Sequence, residues 1–342
     1  MTFQRRSVLA GAAALVAGRT FAAEPQSRWS TGLPLPFAVQ EIYPTLWRGQ
    51  LVVGGGFRSS GPGPVTKIAD LRPSADVVAM TPDADSWSAL PSFPEPRHHP
   101  LLAALDGRLL AVGGFSATPQ AVWTMQAQCW LLDTPAGTWR KGPSLPAPQA
   151  EVAAGIIDGR LILAGGRSPK GTANGQYADH ADTGAAWALA PDANQWEALP
   201  PLPTPRNSSA AAVLNGRLHV AGGRIVGPNG LTNLTTHEAW DPKRGAWITL
   251  APMPQPRGGH AAAVLGGRLY CFGGESFGAD GRAHDEAFAY DPVTDRWAEA
   301  PKMPMPLHGL GAVTMDGRIH LLGGARKVGG NETQPAHLIF RG

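Results

Sequence analysis

Short apolar runs of four or five residues alternate with Gly-, Pro- and Asp-rich punctuation along this chain. Ala153–Ile157 and Leu161–Ala164 flank Asp158-Gly159, and the same arrangement returns along the chain. Runs of that length, bounded by turn signals, read as strands buried on both faces. The central turn glycines are Gly49, Gly107, Gly159, Gly216, Gly267 and Gly317, preceded by Arg48, Asp106, Asp158, Asn215, Gly266 and Asp316. Asn-Gly and Asp-Gly favour type I′ hairpins, because both central residues of that turn need positive φ. A Gly-Gly pair closes the strand after each turn, at Gly55-Gly56, Gly113-Gly114, Gly165-Gly166, Gly222-Gly223, Gly273-Gly274 and Gly323-Gly324.

A Pro-x-Pro precedes each turn: Pro34/36, Pro94/96, Pro146/148, Pro203/205, Pro254/256 and Pro304/306. Proline cannot donate to a strand ladder, so these residues mark crossovers between sheets. After each Gly-Gly pair comes a loop of variable length, a β-rich segment, an Asp/Pro turn and, in five units, a tryptophan: Trp87, Trp139, Trp196, Trp247 and Trp297. Each unit therefore holds four strands, and four-stranded units at this period form propeller blades. The sixth unit ends at Ala336–Arg341 without its tryptophan. Arg28-Trp29-Ser30 supplies the missing outer strand, so the N-terminal segment is expected to complete the last blade and remove a free edge.

Gly-Gly after an apolar strand, followed by Tyr-Asp or Asp-Pro and a Trp, resembles the Kelch repeat; Phe288-Ala289-Tyr290-Asp291-Pro292 before Trp297 carries the pattern most fully. The resemblance covers about residues 28–342 and implies an all-β, six-bladed Kelch propeller with four-stranded antiparallel blades. Fold alone does not give function. The family includes a periplasmic N-acetylneuraminate mutarotase, which the chain resembles in size, export and blade number.

The first residues change the charge and compartment picture. Residues 1–23 carry Arg5-Arg6, an apolar stretch too short to span a bilayer, and small residues ending at Ala22-Ala23. This reads as an export signal of twin-arginine type, or as an ordinary secretory signal, with the propeller occupying 24–342. Either way the expected location is periplasmic or secreted, with no membrane span and no lipid anchor. The formal net charge of +3 contains Arg5, Arg6 and Arg19, so the remainder is near neutral and no nucleic-acid partner is implied. Cys129 and Cys271 lie in different units and are expected to be buried and unpaired. A monomer is expected.

Strand direction alternates within a blade, so the start of the inner strand and the loop after Gly-Gly emerge on one face, and the hairpin turns on the other. Ligand-binding Kelch proteins use the first face, around the central channel, so the resemblance implies a site there. Counting back eight residues from each turn glycine aligns Glu41, His99, Glu151, Ser208, Gly259 and Gly309. Nine back gives Gln40, His98, Ala150, Asn207, Gly258 and His308; seven back gives Ile42, Pro100, Val152, Ser209, His260 and Leu310. Arg58, Arg167, Arg224, Glu275 and Arg326 follow the Gly-Gly pairs and are expected on the rim, while Gly258, Gly259 and Gly309 leave room. The candidate ligand-binding set is Gln40, Glu41, His98, His99, Glu151, Asn207, Ser208, Arg224, His260, Glu275 and His308, with Glu41, Glu151 and His99 as candidate acid/base groups. The expected ligand is a small hydroxylated or anionic molecule, such as a glycan or sialic-acid-like sugar, or else a protein partner. The bland alternative is that these groups satisfy one another and channel waters.

Arg97, Arg206 and Arg257, each directly after a Pro-x-Pro, read as structural residues tying carbonyls between blades. Asp179-His180-Ala181-Asp182 lacks a second ligand cluster at diagnostic spacing, so neither a metal nor a cofactor is expected. A copper-radical oxidase is disfavoured because no tyrosine precedes a histidine. The longest loops, in blades one and three, are candidate lids over the channel.

Overall fold

The computed structural model describes Met1 and residues 28–342, apart from 62–64, 66, 119, 120, 228, 229 and 279. The expected export signal therefore lies outside the described residues, except for Met1. Among the described residues, six four-stranded antiparallel sheets form the blades, accompanied by four two-stranded ribbons. From inside outward, blade one is Thr45–Trp47, Gln50–Gly54, Val77–Met80 and Ser88–Leu90. Blade two runs Leu101–Leu105, Arg108–Val112, Cys129–Leu132 and Arg140–Lys141. Blades three to five repeat this order with inner strands Ala153–Ile157, Ala210–Leu214 and Ala261–Leu265. Blade six is Gly311–Met315, Arg318–Leu322, His337–Phe340 and, from the other end of the chain, Trp29–Thr31.

The hairpin chemistry is as the turn residues require. Asp158 and Gly159 have φ of 48° and 73°, and Asn215 and Gly216 have φ of 51° and 73°. Both central residues are left-handed, the type I′ geometry whose twist matches the flanking strands. Closure is by the N-terminal strand, as expected, with Trp29 opposite Phe340 and Thr31 opposite Leu338. Trp29 also behaves as the sixth member of the tryptophan series. Its Nε1–H donates to the Pro301 carbonyl at 3.2 Å, as Trp139 does to Pro91 at 2.7 Å and Trp247 to Pro200 at 2.8 Å. Each of these indoles ties its outer strand to the crossover leaving the preceding blade.

The Gly-Gly pairs serve the joints between blades. The second glycine of each pair donates its N–H to the residue ten before the next turn glycine: Gly56 to Arg97, Gly114 to Gln149, Gly166 to Arg206, Gly223 to Arg257, Gly274 to Leu307 and Gly324 to Val39. At Gly166 a Cβ would stand 2.2 Å from the Ala150 carbonyl, and its φ of +86° is unfavourable for any side chain. Arg97, Arg206 and Arg257 have a divided role that refines the expectation. Their backbone carbonyls bind the preceding blade, but their guanidinium groups bind carbonyls of their own blade: Arg97 to Gly113 and Gln128, Arg206 to Gly222 and Val220, Arg257 to Gly273 and Glu286. Gln149 does the same in blade three, donating to Gly165 and Ala185.

Apolar clusters fill the wedges between adjacent blades, and Cys129 and Cys271 are buried within them as free thiols. Among the described residues no helix is long and apolar enough to cross a membrane. Trp29 packs edge-on against Phe272 and tilted on Phe340. Trp29→Ala is expected to cost about 2 kcal/mol, less than for a fully buried indole because Trp29 is half-buried. Urea denaturation checks this, with an unchanged midpoint arguing that the N-terminal strand does not hold the ring shut.

Candidate functional site

The residues eight before the turn glycines all adopt left-handed backbone. φ is 57° at Glu41, 54° at His99, 57° at Glu151, 49° at Ser208, 66° at Gly259 and 61° at Gly309. Only the last two have the residue type that takes this conformation without penalty. The gain is a ring of backbone hydrogen bonds around the axis. Glu41 N–H donates to Gly309, Gly309 to Gly259, Gly259 to Ser208, Ser208 to Glu151, and His99 to Glu41. Strained non-glycine residues of this kind concentrate at functional sites.

The side chains carried by this ring form one buried circuit. His99 Nε2 lies 2.9 Å from Glu41 Oε2 and 3.7 Å from Glu151 Oε1. His308 Nδ1 lies 3.9 Å from Glu41 Oε1 and 3.4 Å from Glu275 Oε2. Arg224 donates to Glu275 Oε1 at 2.7 Å, to Asn207 Oδ1 at 3.2 Å and to Ser208 Oγ at 3.1 Å. Arg167 Nε stands 4.0 Å from Glu151 Oε2. The circuit thus passes through all six blades. Glu41 is its most accessible acid, with 15% of its side chain exposed.

Proton positions follow from the partners. His98 Nε2 faces the Val122 carbonyl at 2.7 Å and must donate to it. Burial first, and then His99, pushes the His98 pKa well below the usual histidine range, so its Nδ1 is bare. His99 Nδ1, 2.7 Å away, therefore carries the proton between the two rings. One further proton lies between His99 Nε2 and Glu41. Burial raises the Glu41 pKa, but His99, with lesser help from His308 and Arg224, outweighs it and holds the carboxyl at about 2. Glu41 is therefore held as a carboxylate, 2.9 Å from His99 Nε2.

The circuit plugs one end of the central channel. Beneath it a cavity of about 540 Å³ runs between the inner strands, lined by residues such as Thr45, Ala104, Ala154, Ala211, Ala262 and Ala312. A void of about 20 Å³ sits in the plug itself, bounded by Glu41, Tyr43, Ser208, Gly259 and Gly309. Gly309 does leave room, and Glu41 uses it: a Cβ there would lie 2.8 Å from Glu41 Oε1.

Of the candidates, Glu41, His99, Glu151, Asn207, Ser208, Arg224, Glu275 and His308 come together in the circuit. His98 supports it from behind, stacked between Phe57 at 3.7 Å and Phe115 at 4.9 Å. Gln40 spends its amide on Gly330 and Thr333 of the blade-six loop. His260 occupies the wedge position where other blades carry Ile42, Val152 or Leu310; burial first, then Arg257, lowers its pKa to about 3. Arg58 and Arg326 stand outside the circuit. The residue directly after each Gly-Gly bridges to the chain at the axis, as Phe57 does to Gln40 and Ala325 to His308. Arg58 and Arg326 come one residue later and point away, as strand alternation dictates. Arg58 instead pairs with Asp76 and lies 3.9 Å over Phe37.

Two residues outside the candidate set belong to the site. Tyr43 borders both the plug and the channel, and burial, Glu151 and Glu41 push its phenol well above the usual range. Arg167 is fully buried and lies 3.6 Å over the Tyr177 ring. Its place directly after Gly165-Gly166 was the readable signal. The blade-three loop reaches across to blade two, where Asn174 accepts from Met125 N–H and donates to the Met125 carbonyl. Asp179, His180 and Asp182 diverge, to Gly175 and Gln176, to Asn174, and to Asn207 and Val226 respectively. Among the described residues no group of three or more His, Cys, Asp or Glu side chains is arranged to hold a metal ion.

This geometry defines a class: a closed six-bladed propeller whose axis is stoppered by a circuit of acids, bases and guanidinium groups. The KLHDC2/KLHL20/DRC7 Kelch-repeats domain matches residues 143–324, more than half of the chain, and the protein belongs to the Kelch-repeat family. Kelch-like protein terF of Aspergillus terreus is 28% identical over 199 residues, 56% of this chain and 41% of its own length. Beta-scruin of Limulus polyphemus is 24% identical over 68% of this chain and 24% of its own, and human Kelch-like protein 33 is 32% identical over 49% and 32%. The chain thus spans well under half the length of these relatives. A solved structure titled as that of YjhT aligns with a TM-score of 0.73 at 14% identity, covering 89% of this chain and 95% of that one, a likeness of fold.

Proposed function

We propose that this Kelch propeller acts outside the cytoplasm and binds a small hydroxylated or anionic ligand on the face where its inner strands begin, through the axial circuit. The observation that carries this reading is unused hydrogen-bonding capacity: Glu151 Oε2, Arg167 Nε and Nη1, and His308 Nδ1 are buried there without partners. Native proteins seldom leave such groups unmatched. The guanidinium that meets the ligand in this reading is Arg167, because Arg224 is fully engaged with Glu275, Asn207 and Ser208.

A thermal-shift screen against neutral and acidic free sugars tests the proposal, since a ligand of the native state raises the melting temperature. Concentration-dependent stabilisation is expected. Absence of any shift at millimolar sugar, together with recovery of a specific protein partner, would favour an interaction module instead. For location, lysine at Arg5 and Arg6 is expected to retain the protein in the cytoplasm with a signal of twin-arginine type and to leave it exported with an ordinary secretory signal, read by fractionation.

The second reading is a sugar isomerase of mutarotase type, favoured by the position of His99 Nε2 between Glu41 and Glu151. Ring opening of a cyclic sugar needs a proton given to the ring oxygen and one taken from the anomeric hydroxyl. His99 supplies the first and the Glu151 carboxylate the second. Glu41 Oε2 holds the proton-bearing Nε2 of His99 at 2.9 Å, so Glu41→Gln is expected to lower the mutarotation rate by about 10²-fold or more, measured by polarimetry, while sugar binding at Arg167 and Glu151 persists. Full activity in that variant would remove Glu41 from the chemistry.

A further inference from the structure

The backbone ring around the axis is complete except between blades two and three. There Glu151 N–H makes no backbone hydrogen bond, and the His99 carbonyl receives none, among the described residues. The same seam collects Glu151 Oε2, Arg167 Nε and Arg167 Nη1, all buried and without a hydrogen-bond partner. At 4.0 Å the guanidinium and the carboxylate are too far apart to bond each other, but a third group can bond both. The remaining guanidinium nitrogen, Nη2, is held by the Tyr177 and His180 carbonyls, so the orientation of Arg167 is fixed.

Charge decides what that third group is. Arg167 and Glu151 cancel. Glu41 and His99 share a single proton and cancel wherever it rests. The cation Arg224 is already paired with the Glu275 carboxylate. The seam has no surplus positive charge for a buried anion, and a carboxylate placed there would sit beside that of Glu151. Desolvating a charge without a counter-charge costs several kcal/mol. A hydroxyl meets no such penalty, because it accepts from Arg167 or Glu151 N–H and donates to Glu151 Oε2. Two adjacent hydroxyls use all of the free groups.

We infer that the seam between blades two and three is a subsite for a neutral vicinal diol, such as two ring hydroxyls of an uncharged sugar or cyclitol, held by Arg167 and by the side chain and N–H of Glu151. This rests on reading the axial circuit as a ligand site, and it narrows the ligand from hydroxylated or anionic to neutral.

Calorimetry with myo-inositol, D-galactose and D-galacturonate tests the assignment. The wild-type protein is expected to bind a neutral probe at least about tenfold more tightly than galacturonate. Glu151→Gln keeps the side-chain shape but leaves Arg167 uncompensated, and is expected to reverse that preference. Arg167→Gln is expected to abolish neutral-probe binding; should it fail to fold, Arg167→Lys retains the charge, lacks the forked donors, and is expected to lose at least about tenfold. Tighter galacturonate binding by the wild type, no binding of either neutral probe at millimolar concentration, or an unchanged preference in Glu151→Gln would overturn the inference. Glu41→Gln separates the two claims. Neutral-probe binding retained in Glu41→Gln but lost in Arg167→Gln supports the seam even where mutarotation is absent.

Discussion

Replacing Arg206 by alanine is expected to cost about 3–5 kcal/mol of stability, the largest effect of any single substitution discussed here. Arg206 is fully buried in the joint leading into blade four, and its guanidinium donates to the Gly222, Val220 and Thr204 carbonyls. It also meets Glu238 at 2.5 Å, which accepts a second bond from Thr204 Oγ1. Removing the cation leaves a buried carboxylate with only the Thr204 hydroxyl and takes a donor from three carbonyls at once. The pair itself is not a large net gain: burial lowers the Arg206 pKa more than Glu238 restores it. The penalty lies in breaking the pair. Arg206→Met combined with Glu238→Leu is therefore expected to be markedly less destabilised than Arg206→Ala, a coupling that a double-mutant cycle in urea measures. Arg257→Ala should cost less, because its anionic partner Glu286 keeps Arg282 and His284. Equal losses in the two alanine variants would show that carbonyl tethering, rather than the stranded carboxylate, sets the cost.

Stability is expected to fall steeply between pH 6.5 and pH 4. Burial is the leading cause of lowered pKa values in most of the histidines. His219 and His320 are held at about 4, with Arg217 and His337 adding to the effect, and His237 and His260 at about 3, with His219 and Arg257 adding. Geometry accounts for two of the sites. His237 donates to the Ala251 carbonyl and accepts from His219 at 3.0 Å; His337 donates to the Leu33 carbonyl and accepts from His320 at 2.8 Å. A second proton on either acceptor ring would set N–H against N–H. At these four histidines the unfolded chain takes up a proton near pH 6.5 and the folded one does so only near 3 to 4. In that window the unfolded state binds more protons, so the stability is fully present above pH 6.5 and is lost as the pH falls. Each such site is worth on the order of 2–4 kcal/mol, so several together rival the total stability of a domain. Urea midpoints at pH 7.5 and pH 5.0 provide the check. A profile flat down to pH 4.5 would mean that these rings are hydrated in the native state.

The architecture was legible because its signals are local. An Asn-Gly or Asp-Gly between two apolar runs determines a hairpin, and six repetitions at one period determine the blade count. Trp29 could be assigned to blade six from the missing tryptophan after Ala336–Arg341. The circuit was legible in part, since counting back from the turn glycines brought Glu41, His99 and Glu151 to a common level. What could not be read was pairing across blades. Arg224 and Arg167 occupy the same repeat position, yet one is consumed by Glu275 and the other retains free donors, because their neighbours come from different blades. The offset of Arg58 and Arg326 depends on which residue after Gly-Gly bridges to the axis. Left-handed backbone at His99 and Glu151 has no signature in residue type, as neither is Gly, Asn or Asp.

A structure of the protein with a bound neutral sugar would bear most directly on the central claim. The sugar is predicted between Arg167 and Glu151, with His99 within hydrogen-bond reach. Finding it instead in the alanine-lined channel below Tyr43 would mean that the axial circuit is only a stopper.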